Sequence, residues 1–157
     1  MSAASVSIRP ARAADVATIA SFNLAMAWET EKLRLNAYTV ERGVQAAIAD
    51  ASKGSYFIAE LDGAVAGCLL LTHEWSDWRD GNIWWVQSVY VIPASRRKGV
   101  FTSLYRHVES LAREQGVVAL RLYVEQDNAV GKRVYKSLGM SLTHYHVMEH
   151  DLRRRNG

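Results

Sequence analysis

A chain of 157 residues, 49% hydrophobic and 22% charged, has the make-up of one globular domain able to bury a core without disulfide or metal staples. Its 19 Lys+Arg against 16 Asp+Glu leave +3, which suits a polyanionic ligand such as a nucleotide; no basic stripe argues for nucleic acid, and Arg153-Arg154-Arg155 reads as a solvated end. The lone cysteine, Cys68, excludes an internal disulfide framework, no apolar run approaches the ~18 residues of a membrane span, and residues 1–5 lack the pattern of a secretory signal, so the expected location is cytoplasmic.

In chain order, Val6, Ile8 and Pro10 suggest a short first strand. From Asp15, a residue able to cap, Val16, Ile19, Ala20, Phe22, Leu24 and Met26 predict an amphipathic helix to about Trp28. Residues 29–38 are polar and irregular. Thr39 then caps a second helix, with Val40, Val44, Ala47, Ile48 and Ala51 on one face, ending near Gly54.

The period then changes. Strand-like runs at 56–61 and 65–73 flank Asp62-Gly63, a pair that supplies the positive φ angles of a tight hairpin. Cys68 lies in the second run and reads as a small buried hydrophobe rather than a nucleophile. Asp80-Gly81 marks another turn before a strand from Ile83 to Ile92. There Ile83, Trp85, Val89 and Val91 alternate with Trp84, Val86, Tyr90 and Ile92, so the strand is apolar on both faces and expected at the centre of the sheet.

After Pro93 comes a basic glycine loop, then a helix with Phe101, Leu104, Tyr105, Val108, Leu111 and Ala112 on one stripe, ended by Gly116. Leu120, Leu122 and Val124 predict a strand, 129–138 a short helix closed by Gly139, and 140–152 one or two final strands. The resulting order is β-α-α-β-β-β-α-β-α-β, an α/β (α+β) fold whose mixed, mostly antiparallel sheet carries helices on both faces. One domain spans 1–157. An exposed last strand would let two copies pair as a homodimer.

Strand, loop and helix from Val89 to Ser103 carry the chemistry. A helix N-terminus presents unbonded N–H groups and a partial positive charge to phosphate oxygens. Gly99 permits close backbone approach, and Arg96, Arg97 and Lys98 add fixed positive charge. Such a loop suits a pyrophosphate, although it has neither the P-loop nor the Gly-x-Gly-x-x-Gly pattern. Downstream, Asn128 opens a helix and Tyr135 lies two turns later on the same face. Read alone, Asn128 caps and Tyr135 packs.

Together these segments resemble the GNAT superfamily of acetyl-CoA-dependent N-acetyltransferases. The family's Gln/Arg-x-x-Gly-x-Gly/Ala motif stands as Arg96-Arg97-Lys98-Gly99-Val100-Phe101, and its Asn, helix, Tyr, Leu-Gly segment as Asn128 to Tyr135 followed by Leu138-Gly139-Met140. Phe101 departs from the usual Gly or Ala. The resemblance implies that backbone groups of Val89 and Val91 pair with the pantetheine arm of acetyl-CoA. It implies that amides of Arg97, Lys98, Gly99, Val100, Phe101 and Thr102, beside Arg96, hold the pyrophosphate. Asn128 would bond the pantetheine region, and Tyr135 would lie near the thioester sulfur.

The implied reaction is direct attack by an unprotonated primary amine. The Val89 N–H would stabilise the tetrahedral oxyanion, and Tyr135 would protonate the departing thiolate. No metal is implied. Where family members often carry a basic Glu, this chain has Gln87, which leaves Glu29, Glu31, Glu74, His73, His144, His146 or a water chain as candidate bases. By the same resemblance the acceptor pocket is built from 28–38 and 75–85, with Trp28, Glu29, Glu31, Trp75 and Gln87 as substrate-binding residues. Aromatic faces and carboxylates favour a small cationic amine. Gln87 and Ser88 stand where polyamine acetyltransferases place two acids, which counts against a polyamine. Two other readings remain: an acetyltransferase of protein N-termini or lysines, and a non-catalytic acyl-CoA-binding module.

Overall fold

Asp62 and Gly63, with φ of +51° and +85°, make the tight turn between strands β2 (Ser55–Leu61) and β3 (Ala64–Ser76). The structure, a computed structural model, describes residues 4–153; residues 1–3 and 154–157, including Arg154 and Arg155, lie outside the described residues. The chain divides into two compact units, one up to Tyr123 and one from Val124 onward.

In the first unit a five-stranded sheet has the order β1-β2-β3-β4-β5. Strands β1 (Val6–Pro10), β4 (Gly81–Val91) and β5 (Ala119–Leu122) complete it, and only the β4–β5 pairing is parallel. Helices α1 (Val16–Glu31) and α2 (Ala37–Ala49) cover one face, where Ile19, Phe22 and Val44 meet Tyr56, Ile58, Cys68 and Tyr90. Helix α3 (Val100–Glu114) covers the other. Its Leu104 and Val108, from the predicted stripe, pack with Val100, which lay outside that stripe, on Phe57, Leu69, Leu71, Trp84 and Val86. Each large apolar side chain fully buried there stabilises the fold by about 1.5–3 kcal/mol.

Three local expectations change. Helix α1 runs to Glu31 and closes on Lys32 in a left-handed cap, beyond the expected end at Trp28. Asp15 precedes α1 without capping it by side chain; its carboxylate instead accepts from both terminal nitrogens of Arg9 at 2.8 and 3.0 Å and from the Arg12 amide at 2.7 Å. Asn36, not Thr39, caps α2: its Oδ1 accepts from the Thr39 amide at 3.0 Å.

The alternation read into β4 also changes. Cys68 faces Tyr90 and Leu70 faces Gln87, so Ser88 and Val89 together stand opposite Leu69 alone. This is a β-bulge, with Ser88 at φ +49°. One extra residue exchanges the faces beyond it. Val89 and Val91 therefore join Trp84 and Val86 on the α3 side, while Tyr90 and Ile92 face α1 and α2.

In the second unit α4 (Ala129–Ser137) is capped by Asn128, whose Oδ1 accepts from the Gly131 amide at 2.9 Å. The Lys132 ammonium donates to the Gln126 carbonyl. Residues 140–152 form no strand, and 141–152 are exposed throughout. Their alternation is compatible with a strand, but a strand exists only through a ladder partner. The pairing of two copies had been expected to run through that strand.

Candidate cofactor and acceptor site

The β4–β5 ladder stops at Val86 opposite Leu122, so among the described residues Gln87 to Val91 have no ladder partner on that side. The Ile92 amide donates to Ala66 on β3 at 2.9 Å, and strand alternation therefore turns the N–H and C=O groups of Val89 and Val91 to the opposite, open edge. A chain of amides can add itself there as a further strand.

A turn at 93–95 leads from this edge into the basic loop. Arg97 has φ +63°, Gly99 has φ +80°, and Lys98 between them is not left-handed. Alternation of φ sign aims successive N–H groups into one concavity, and the first-turn amides of α3 add to it. A Cβ on Gly99 would meet nothing within 4 Å, so the approach to these amides is open. Arg97, Lys98, Gly99 and Thr102 are exposed, Val100 is buried, and the Phe101 ring lies 6.2 Å from that of Tyr105.

Arg96, also exposed, is held on three sides. Its Nη2 donates to Glu29 Oε2 at 2.9 Å, its Nε donates to the Val91 carbonyl at 2.9 Å, and its guanidinium lies 5.5 Å from the Tyr90 ring centre. The Tyr90 hydroxyl donates to Glu29 Oε1 at 3.0 Å. Arg96 holds the Glu29 carboxyl below the usual carboxylate range, with Tyr90 adding to the effect. A weakened base is a poor choice for taking an amine's proton.

A family model described as Acetyltransferase (GNAT) family matches residues 17–140. A possible acetyltransferase from Clostridium difficile 630 has a solved structure that is 39% identical, covering 95% of this chain and 99% of that one, at a TM-score of 0.87. This chain belongs to the GNAT acetyltransferase family. It is accordingly an acyltransferase, of a family that takes its acetyl group from acetyl-CoA. A predicted acetyltransferase with acetyl-CoA from Clostridium acetobutylicum, 18% identical, shares the fold at a TM-score of 0.75 over 93% of this chain and 96% of that one. No curated protein matches the chain significantly.

Within this GNAT chain, the residues expected to contact the acceptor separate. Glu29 is tied to the loop. Glu31 ends α1 in solvent. Trp28 is 44% exposed, with Lys32 Nζ at 5.4 Å and the Arg34 guanidinium at 5.0 Å from its ring, and Arg42 lies 5.3 Å from the Tyr38 ring. The chain's own cations thus already occupy these aromatic faces. Trp75 pairs with Asn82 beside the β3–β4 turn, at the end of the hairpin far from Val91 and on the α3-side face. Gln87 lies on the other face and donates to Thr72 Oγ1 at 2.6 Å. Among the described residues no cluster of three or more His, Cys, Asp or Glu is placed to hold a metal, and no helix is long and apolar enough to cross a membrane.

Asn128 and Tyr135 lie in the second unit, at the cap and at the end of the second turn of α4. Burial pushes the Tyr135 phenol above its ordinary value, so it carries its proton at neutral pH. The sequence reading missed Tyr90 and the Glu29–Arg96 pair. It also missed a group across three strands: Trp85 stacks on Tyr123 at 4.7 Å, and Glu74 accepts from Trp85 Nε1 at 3.2 Å and from Arg121 at 3.3 Å. No local signal marked the pair, because residues 29–38 read as polar and irregular and α1 reaches Glu31 only in the structure.

Proposed function

We propose that residues 1–157 act as one N-acetyltransferase domain that moves the acetyl group of acetyl-CoA to a primary amine of a small molecule. The observation that carries this reading is the paired left-handed geometry of Arg97 and Gly99 at the mouth of α3, beside the open edge of β4. Acetyl-CoA supplies the acetyl group as a thioester. Amides from Arg97 to Thr102, backed by Lys98, hold a diphosphate. Backbone groups of Val89 and Val91 hold the amide arm, and the Val89 N–H stabilises charge growing on the carbonyl oxygen under attack. On the family motif, Asn128 is assigned to that arm by its side-chain amide and Tyr135 to the proton received by the departing sulfur.

For the acceptor, the mix of signs around Trp28, with Glu29 and Glu31 beside Lys32 and Arg34, supports an amine that also bears an acidic or neutral polar group. Calorimetry with acetyl-CoA tests the first half of the proposal. An acceptor panel of amino acids, aminoglycosides, polyamines and peptide N-termini, read by thiol release, tests the second. Thiol release with peptides alone would favour a protein acetyltransferase. Coenzyme binding without release across the panel would mark a non-catalytic acyl-CoA-binding module.

A further inference from the structure

A carboxylate in the last turn of a helix opposes the negative end of the dipole, so Glu29 is locally unfavourable where it stands. Its partners are 61 and 67 residues away in sequence, Tyr90 and Arg96, at 3.0 and 2.9 Å. Arg96 is in turn the residue before Arg97, a non-glycine in the left-handed region at φ +63°. Such a residue costs about 1 kcal/mol and persists only where its surroundings over-determine it. Arg96 supplies that determination: a carboxylate, a backbone carbonyl and an aromatic face fix it within one residue of the strain. On the far side of Arg97 the cap at Gly99 fixes the chain again.

From this we infer that Glu29 is a positioning residue for the diphosphate loop, holding Arg96 so that Arg97 and the amides after it face one concavity before any ligand arrives. This rests on the proposed use of that loop for acetyl-CoA. Glu29 touches no reacting atom and acts through Arg96. Because it lies in the last turn of the helix that leads into 32–36, it also ties that segment to the diphosphate loop. A change at one is then transmitted to the other through one ion pair. The Tyr90 hydroxyl donates to Oε1 and leaves Oε2 for Arg96.

The test uses the full chain and two probes, coenzyme A and ADP, the second carrying the diphosphate without the pantetheine arm. Glu29→Gln keeps a partner for Tyr90 and removes the charge facing Arg96. The expected result is a loss of roughly tenfold in affinity for both probes by calorimetry. The ligand-free melting temperature should stay as in the wild type, since the pair is exposed. Glu29→Asp, which keeps the charge on a shorter arm, should recover part of the loss, and the KM for acetyl-CoA should rise in step. Wild-type affinity of Glu29→Gln for both probes overturns the inference and leaves the acetyltransferase reading standing. So does a loss that merely follows a general fall in melting temperature. Absence of coenzyme A binding by the wild type defeats both.

Discussion

Arg96 Nε donates to the Val91 carbonyl oxygen at 2.9 Å, on the edge of β4 that faces away from β3. That carbonyl is one the family resemblance assigns to the pantetheine arm. A carbonyl oxygen has two lone pairs, so the contact leaves the edge usable. It also places the guanidinium between the open edge of β4 and the basic loop. The same side chain reaches Glu29 on α1, so strand, loop and helix meet at one cation.

Gly99→Ala isolates the conformational part of the loop. An added Cβ meets no neighbour within 4 Å, so no clash contributes. The native φ of +80° remains, and an L residue there costs about 1 kcal/mol. Denaturant unfolding should show an unfolding free energy lowered by that amount, read as a lower midpoint at unchanged slope. Coenzyme A affinity should fall further than stability does, because a relaxed loop misaims its amides. Equal stability to wild type would mean that the left-handed cap is not required.

Cys68 should be inert while the protein is folded. It is 0% exposed, and burial pushes its thiol up to about 12, against the thiolate that alkylation needs. Iodoacetamide near neutral pH should label the denatured chain fully and the native chain only at the rate of opening. Mass spectrometry after a timed quench distinguishes the two. Rapid native labelling would place the residue nearer solvent than the sheet between α1, α2 and α3 allows.

What the sequence revealed was what short range decides. The stripe of Leu104, Tyr105 and Val108 and the Asp62-Gly63 turn are set by neighbours within one or two turns of chain, and both formed as read. Asn36 and Thr39 lie so close that either could cap α2, and the residue one step before the helix won. The bulge at Ser88 is different in kind. The parity of β4 beyond it depends on how β3 pairs, and no residue of β4 announces an extra member. The contacts of Glu29 span 61 and 67 residues and lie beyond any periodicity. For 140–152 the pattern was compatible with strands, but pattern supplies no partner.

Asp15 anchors the start of α1 to the sheet and should govern acid stability. Arg9, then the Arg12 amide, hold its carboxyl below the ordinary value of 3.8 against the opposing effect of burial. A carboxyl with a depressed folded pKa stabilises above the unfolded value. That contribution is lost as pH falls from 3.8 through the lower folded value. Asp15→Asn should therefore cost about 1–3 kcal/mol near neutral pH, since among the described residues Arg9 then keeps one ion-pair partner, Glu60 at 2.7 Å. The variant should also lose less stability than the wild type on acidification below that point. Parallel acid limbs in melts taken across the range would show that other carboxyls dominate.

Tyr135→Phe tests the proton that the proposed reaction delivers to sulfur. Burial raises this phenol above its ordinary 10.0, so the protonated donor persists across the working range. A rising limb should come from the acceptor amine losing its proton, near ~10.4 for an alkylamine. Tyr135 should add no falling limb below 10.0. The Phe variant should lose about 10²-fold in turnover, the low end for a positioned acid. Coenzyme A affinity should be retained, because the ring still packs and only the hydroxyl is gone. With a thiol of pKa ~8.5 departing into water, some turnover survives and is measurable. If the Phe variant turns over at the wild-type rate with an unaltered pH profile, Tyr135 only packs, and the sulfur takes its proton from solvent.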